Sequence, residues 1–168
     1  MKMGIFDQLY RKHYEEICRF CTRMLGSKDA AFDVTQETFM KFHKRLEQAD
    51  GPPDNVRAWL YKVASNICLN TVGQVKRHKE IEDSIGIEGV DYADPETKYI
   101  SEEKKHAVRD ALDLLSPKHS LLLLMYQDGL SYKEMSEATG IPYNSVGKTL
   151  WRSIEKVSSS LKILEYEK

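Results

Sequence analysis

An all-α fold of two small helical domains joined by an acidic linker is what this sequence predicts, and three observations carry the prediction. Apolar residues recur at three- and four-residue steps through nearly every segment on either side of residues 81–95. That segment, IEDSIGIEGVDYADP, holds two glycines, a proline and five acids without a sustained period, so it reads as a linker. Charge divides in the same way. Residues 1–80 carry 14 Lys and Arg against 10 Asp and Glu, residues 81–103 carry 1 against 8, and residues 104–168 carry 10 against 8. The formal net charge of -1 therefore hides two mildly basic domains, 1–80 and 104–168, around an acidic connector over 81–103.

The first helix is read from Phe6, Leu9, Tyr10, Ile17, Cys21, Met24 and Leu25, with Gly26 as its stop. Ser27 then caps a second helix. Its apolar stripe is Ala31, Val34, Thr38, Phe39, Phe42 and Leu46, while Asp33, Gln36, Glu37, Met40 and Lys44 fall largely on another face. The loop ADGPPDN breaks the helix, and Asp54 or Asn55 caps a third, whose expected core face is Val56, Trp59, Leu60, Val63, Ile67 and Thr71. That helix is expected to run out in the basic stretch from Lys76 to Lys79. Periodicity resumes from Glu96 to Leu115. Ser116 and Pro117 then open a helix containing Leu121 to Met125, apolar almost all round and so expected at the centre of the second domain.

Residues 128–153, DGLSYKEMSEATGIPYNSVGKTLWRS, form a helix-turn-helix pattern. Ser131 and Glu134 have capping-box spacing, Met135 and Ala138 supply a packing face, Gly140 permits a left-handed turn, and Ile141 plugs between the helices before Pro142 opens the second. Val146, Leu150, Ile154 and Val157 are expected to point inward. Tyr143, Asn144, Gly147, Lys148 and Trp151 are left outward, with Ser145 and Arg152 at the boundary. Side chains of these types near the start of a helix suit the reading of base edges in a major groove. A plain helical hairpin uses the same caps and spacing.

Composition bounds the class. With 41% apolar residues in 168, the chain can bury packed cores. Its longest apolar run, Leu121 to Tyr126, is far short of the ~20 residues that span a bilayer. The opening MKMGIFDQLYRKHYEE carries charges where a signal peptide needs an apolar stretch, so a cytoplasmic protein without membrane insertion is expected. Three cysteines in such a chain fit reduced thiols.

The segment GLSYKEMSEATGIPYNSVGKTLWRS resembles the C-terminal domain of the extracytoplasmic-function (ECF, group IV) sigma factors, which typically reads G-x-S-x-x-E-I-A-x-x-x-G-[IV]-P-x-x-T-V-K-S-R-L-x-R-A. FDVTQETFMKFHKRL is similar to the family helix A-x-D-x-x-Q-E-x-F-x-x-x-[WY], and VRAWLYKVASNICLN to its W-L-Y-x-I-A-x-N helix. Together the motifs span most of residues 6–160. The resemblance implies a sigma region 2-like domain and a sigma region 4-like domain, with no enzyme activity and no cofactor. Its implied task is to bind core RNA polymerase, deliver it to promoters and support DNA opening.

Carried onto matching positions, the resemblance implies that Asp33, Gln36, Glu37 and Met40 meet the clamp coiled coil of the largest polymerase subunit, with the second domain on the flap of the second-largest. Carboxylates and an amide on one face suit an arginine-bearing partner. Residues 49–55 correspond to the loop that captures a flipped base of the -10 element, which implies -10 contacts by Asp50, Asn55, Lys62, Asn66, Lys76 and Arg77. Lys79 is a further phosphate candidate. Where relatives often have an aromatic before this loop, the chain has Ala49 and Asp50. For the -35 element the implied set is Tyr143, Asn144, Ser145, Lys148, Thr149, Trp151 and Arg152. The family's K-S-R is replaced there by Gly147, Lys148 and Thr149, which shifts a positive charge by one position. An anti-sigma factor, often membrane-anchored in the family, is the implied inhibitor.

Two other classes compete. A free-standing helix-turn-helix regulator would normally dimerise, and no heptad is evident. A zinc or redox sensor would use Cys18 and Cys21, yet His13 lies one residue too far from Cys18 for the H-x3-C-x2-C pattern of zinc-binding anti-sigma factors, and no second C-x-x-C exists.

Overall fold

The structure, a computed structural model, describes residues 4–85, 107 and 110–166, apart from the side chains of 75, 76, 78–85 and 163–166. It divides into two compact units, Met1–Asp94 and Pro95–Lys168, and the described residues of both are helical or in turns. Most of the acidic connector, and most of the helix expected from Glu96, lie outside the described residues.

The first unit is a three-helix bundle of α1 (Ile5–Leu25), α2 (Lys28–Gln48) and α3 (Val56–Ile85). Gly26 closes α1 with φ at 67°, a left-handed conformation that glycine adopts without a Cβ penalty, and its N–H donates to the Thr22 carbonyl at 2.8 Å. The Ser27 hydroxyl accepts from the Ala30 N–H at 3.3 Å and starts α2. At α3 the cap is Asn55, whose Oδ1 accepts from the Ala58 N–H at 3.0 Å. Buried Ile17, Phe20 and Cys21 from α1 meet Ala31, Val34, Phe39 and Phe42 from α2, and Leu60, Tyr61, Ala64 and Cys68 from α3. Phe20 and Tyr61 touch edge to face with ring centroids 4.9 Å apart.

Two expectations for α3 need correction. Its buried face is Ala58, Leu60, Tyr61, Ala64, Ser65 and Cys68, whereas Val56, Trp59, Val63, Ile67 and Thr71 are only partly covered. α3 packs against both α1 and α2, and small side chains allow that double approach, so the face nearest its neighbours is not the most apolar one. The helix also continues to Ile85, into residues expected to be linker. No glycine or proline lies between Gly73 and Gly86, and the Lys and Glu residues there favour helix despite their charge.

In the second unit residues 110–113 are helical, and Ser116 then caps α4 (Pro117–Gln127), accepting from the His119 N–H at 3.4 Å. Ser120, Leu121, Leu122, Leu124 and Met125 of α4 are buried, which makes it the centre of this unit. α5 (Tyr132–Thr139) opens on a complete capping box. The Glu134 N–H donates to the Ser131 hydroxyl at 3.2 Å, and the Ser131 N–H donates to the Glu134 carboxylate at 2.8 Å.

The turn into α6 (Tyr143–Tyr166) is closed by side chains. Gly140, with φ at 72°, donates its N–H to the Ser136 carbonyl at 2.9 Å. The Ser136 hydroxyl donates to the Ile141 carbonyl at 2.7 Å, and the Ile141 N–H donates to the Thr139 hydroxyl at 3.2 Å. Ile141 is buried between the two helices. Val146 and Leu150 point inward as expected, but Ile154 is 41% exposed and Ser153 is buried instead. Ile154 and Val157 line an open apolar cleft with Leu123 and Leu161, because α6 outruns the short helices it packs on.

Candidate polymerase and promoter interfaces

Asp33, Gln36, Glu37 and Met40 all stand exposed on the outer face of α2. Helical spacing makes them one patch, since 33 lies three and four residues from 36 and 37, and 40 lies four and three residues beyond them. Glu37 pairs with Lys41 at 3.3 Å, a solvent-exposed contact of little worth that leaves its carboxylate available to a stronger partner. Phe32 is 47% exposed and Met40 70%, and with Gln36 between them they form an apolar edge to the acidic patch. Phe32 was not singled out from sequence. Its fault in the buried stripe, one residue after Ala31, is the signal that could have marked it.

The -10 candidates divide into three groups. Asp50 lies exposed in the loop after α2, where Gly51 has φ at 119° and its carbonyl accepts from Arg45 at 3.3 Å. Asn55 spends its Oδ1 on the α3 cap, so one of its side-chain acceptors is committed to the start of that helix. Lys62 and Asn66 are both exposed one turn apart on α3, and Arg77 is exposed further along; the side chain of Lys76 lies outside the described residues. Trp59 is partly covered, and its ring packs on Phe42 of α2 with centroids 5.6 Å apart.

An ion network absent from the sequence reading ties α1 to the start of α3. Arg57 reaches Glu16 with two nitrogens at 3.0 and 2.9 Å, and the His13 ring sits 2.5 Å from the other Glu16 oxygen. The Arg57 guanidinium also lies over the Tyr61 ring, 5.7 Å from its centroid. Burial tends to raise the Glu16 carboxyl, but hydrogen bonds from His13 and Arg57, with their charges, hold it below the ordinary range. Only the join of two distant sequence segments creates this network, so local periodicity carries no sign of it.

On α6, Tyr143, Asn144, Ser145, Lys148, Trp151 and Arg152 are exposed and Thr149 is partly covered. They occupy the first turns of the second helix of the helix-turn-helix, the position from which such elements read DNA. Tyr132, the first residue of α5, joins them from outside the helix: a Cβ built on Gly147 would meet its ring at 3.2 Å. Cys18 is partly exposed on α1, while Cys21 is buried beside Cys68 and Thr35. Among the described residues no group of three His, Cys, Asp or Glu side chains could hold a metal ion.

The first unit is thus a helical bundle with an exposed acidic patch, and the second holds a helix-turn-helix. Comparison with known proteins gives the class. Residues 9–78 match Sigma-70 region 2 and residues 105–157 match Sigma-70, region 4. The chain is 30% identical over 150 residues to the RNA polymerase sigma factor YlaC of Bacillus subtilis, covering 88% of this chain and 86% of that protein. It is 26% identical over 169 residues to the ECF RNA polymerase sigma factor SigW of the same organism, covering 95% and 90%. The fold resembles that of the sigma factor RpoE in a co-crystal structure with the anti-sigma factor NepR from Bartonella quintana, with a TM-score of 0.69 at 22% identity over 94% of this chain and 97% of that one. The chain belongs to the sigma-70 family, as an ECF RNA polymerase sigma factor. It directs RNA polymerase to promoters and, like its family, is not an enzyme.

Proposed function

We propose that the two units divide this task between separate surfaces. The acidic patch of α2, Asp33, Gln36, Glu37 and Met40, docks on the clamp coiled coil of the largest polymerase subunit, and the second unit rests on the flap of the second-largest. The loop after α2, with Asp50 and Asn55, and Lys62, Asn66, Lys76 and Arg77 of α3 engage the -10 element. The α6 set of Tyr143, Asn144, Ser145, Lys148, Thr149, Trp151 and Arg152 engages the -35 element. The carrying observation is that the described α2 patch is wholly exposed while the opposite side of the same helix is buried, so the patch is free for a partner.

The protein acts in the cytoplasm and is restrained by an anti-sigma factor; no described helix is long and apolar enough to cross a membrane. The near-neutral chain can specify sequence because polymerase supplies much of the phosphate contact. Reconstituted transcription tests the assignment. With core polymerase the chain should start transcripts at discrete promoters, and Asp33→Ala with Glu37→Ala should abolish them at least tenfold without loss of helix content. Initiation that survives the double substitution would remove α2 from the interface. Tight binding of the free chain to a palindromic site without core would instead identify a free-standing regulator.

A further inference from the structure

Gly147 lies in the middle of the exposed face of α6, four residues from Tyr143 on one side and four from Trp151 on the other. Glycine inside a helix is destabilising relative to alanine, so its presence there asks for a reason. The structure supplies one. A Cβ at this position would stand 3.2 Å from Cε2 of Tyr132 and 3.8 Å from its Cζ and hydroxyl oxygen, tighter than ordinary contact. The Tyr132 ring thus lies over the space that a side chain from position 147 would fill. It remains 42% exposed, between Tyr143 at 59% and Trp151 at 62%. Its backbone is held by the Ser131–Glu134 capping box, so the ring is delivered by a fixed helix end.

We infer that Tyr132, seated on Gly147, is a specificity-determining residue of the -35 reading surface, and that it favours a thymine at one base pair through contact of its ring with the C5-methyl group. This rests on the assignment of α6 to the -35 element. Major-groove thymine is distinguished by that methyl, which an apolar ring edge recognises and a lysine does not; a cation at the same place would instead favour the guanine O6 and N7 acceptors. The chain has thus exchanged a side chain of the reading helix for an aromatic ring arriving from the preceding helix.

The test uses holoenzyme reconstituted with core polymerase and a promoter library randomised over the -35 element. The wild-type chain should select thymine at one position, with about tenfold discrimination against guanine. Replacing that thymine by deoxyuridine, which lacks only the methyl, should weaken wild-type binding severalfold and leave Tyr132→Ala indifferent. Tyr132→Phe should keep the preference, and Gly147→Lys should move it towards guanine. Unchanged selection by both Tyr132→Ala and Gly147→Lys, or equal weakening at every position, would overturn the inference. Lys148→Ala and Arg152→Ala separate the two levels. If they impair -35-dependent binding while the Tyr132 variants select as wild type, the α6 assignment stands and this inference falls; if wild type does not distinguish the native from a scrambled -35 element, both fall.

Discussion

At Glu16 burial and pairing oppose one another, and pairing wins. Because its carboxyl titrates below the ordinary range in the folded chain, the network contributes stability above the unfolded-state pKa and loses it as pH falls through the folded value. Glu16→Gln should therefore lower the stability of the first unit by about 2 kcal/mol at neutral pH, and the deficit should shrink on acidification below the usual carboxylate range. Urea unfolding followed by Trp59 fluorescence in a Trp151→Phe background reads that unit alone, since these are the two tryptophans. Phe20, fully buried against Tyr61, should cost more: Phe20→Ala is expected to remove about 4 kcal/mol in the same assay. Residues of both kinds differ in how visible they are in sequence. Buried Phe39 and Phe42 follow from apolar spacing, whereas Phe20, His13 and the Glu16–Arg57 pair depend on which side of α1 faces two neighbours at once.

Among the elements, α1 and α2 are legible because Gly26 and Ser27 punctuate them and their stripes are strong. α3 is less so. Ala58, Ala64, Ser65 and Cys68 weigh little on any hydropathy pattern, yet their small size is what puts them in the core. It is also longer than expected, because a charged sequence without glycine or proline still forms helix. The same limit hid Tyr132: its contact with Gly147 crosses the turn between two helices, and only the unexplained glycine hinted at it. The exposed faces were easier, since polar residues left over from an apolar stripe identify themselves. At this scale the cap of α5 gives a direct prediction. Ser131→Ala should destabilise the second unit by about 1 kcal/mol, measured by urea unfolding followed through Trp151 fluorescence in a Trp59→Phe background.

For the whole molecule, two matched regions lie on a chain of formal net charge -1, and the proposed division of labour leaves much of the phosphate contact to polymerase. Lys148 and Arg152 are the exposed cations among the residues proposed for the -35 element, and Tyr143, Asn144, Ser145, Thr149 and Trp151 are uncharged. The free chain should therefore bind -35 duplex weakly, with the logarithm of the binding constant falling against that of salt at a slope of about -2, as two neutralised phosphates would give. A fluorescence anisotropy titration at several salt concentrations measures it, and a much steeper slope would reveal a larger basic footprint. The division into two units was legible from charge and the Gly- and Pro-bearing connector, although the helix of the first unit reaches past the expected boundary.

The turn around Gly140 bears on how quickly such a weak reader can work. With the Ser136 hydroxyl on the Ile141 carbonyl and the Thr139 hydroxyl holding the Ile141 amide, this turn leaves few loose backbone groups to be ordered on docking. In the proposed -35 role, α6 would then meet the groove from a fixed turn, and little conformational entropy would be surrendered on contact. Amide exchange at Ile141 should accordingly be slow in the unbound chain, and binding should scarcely slow it further.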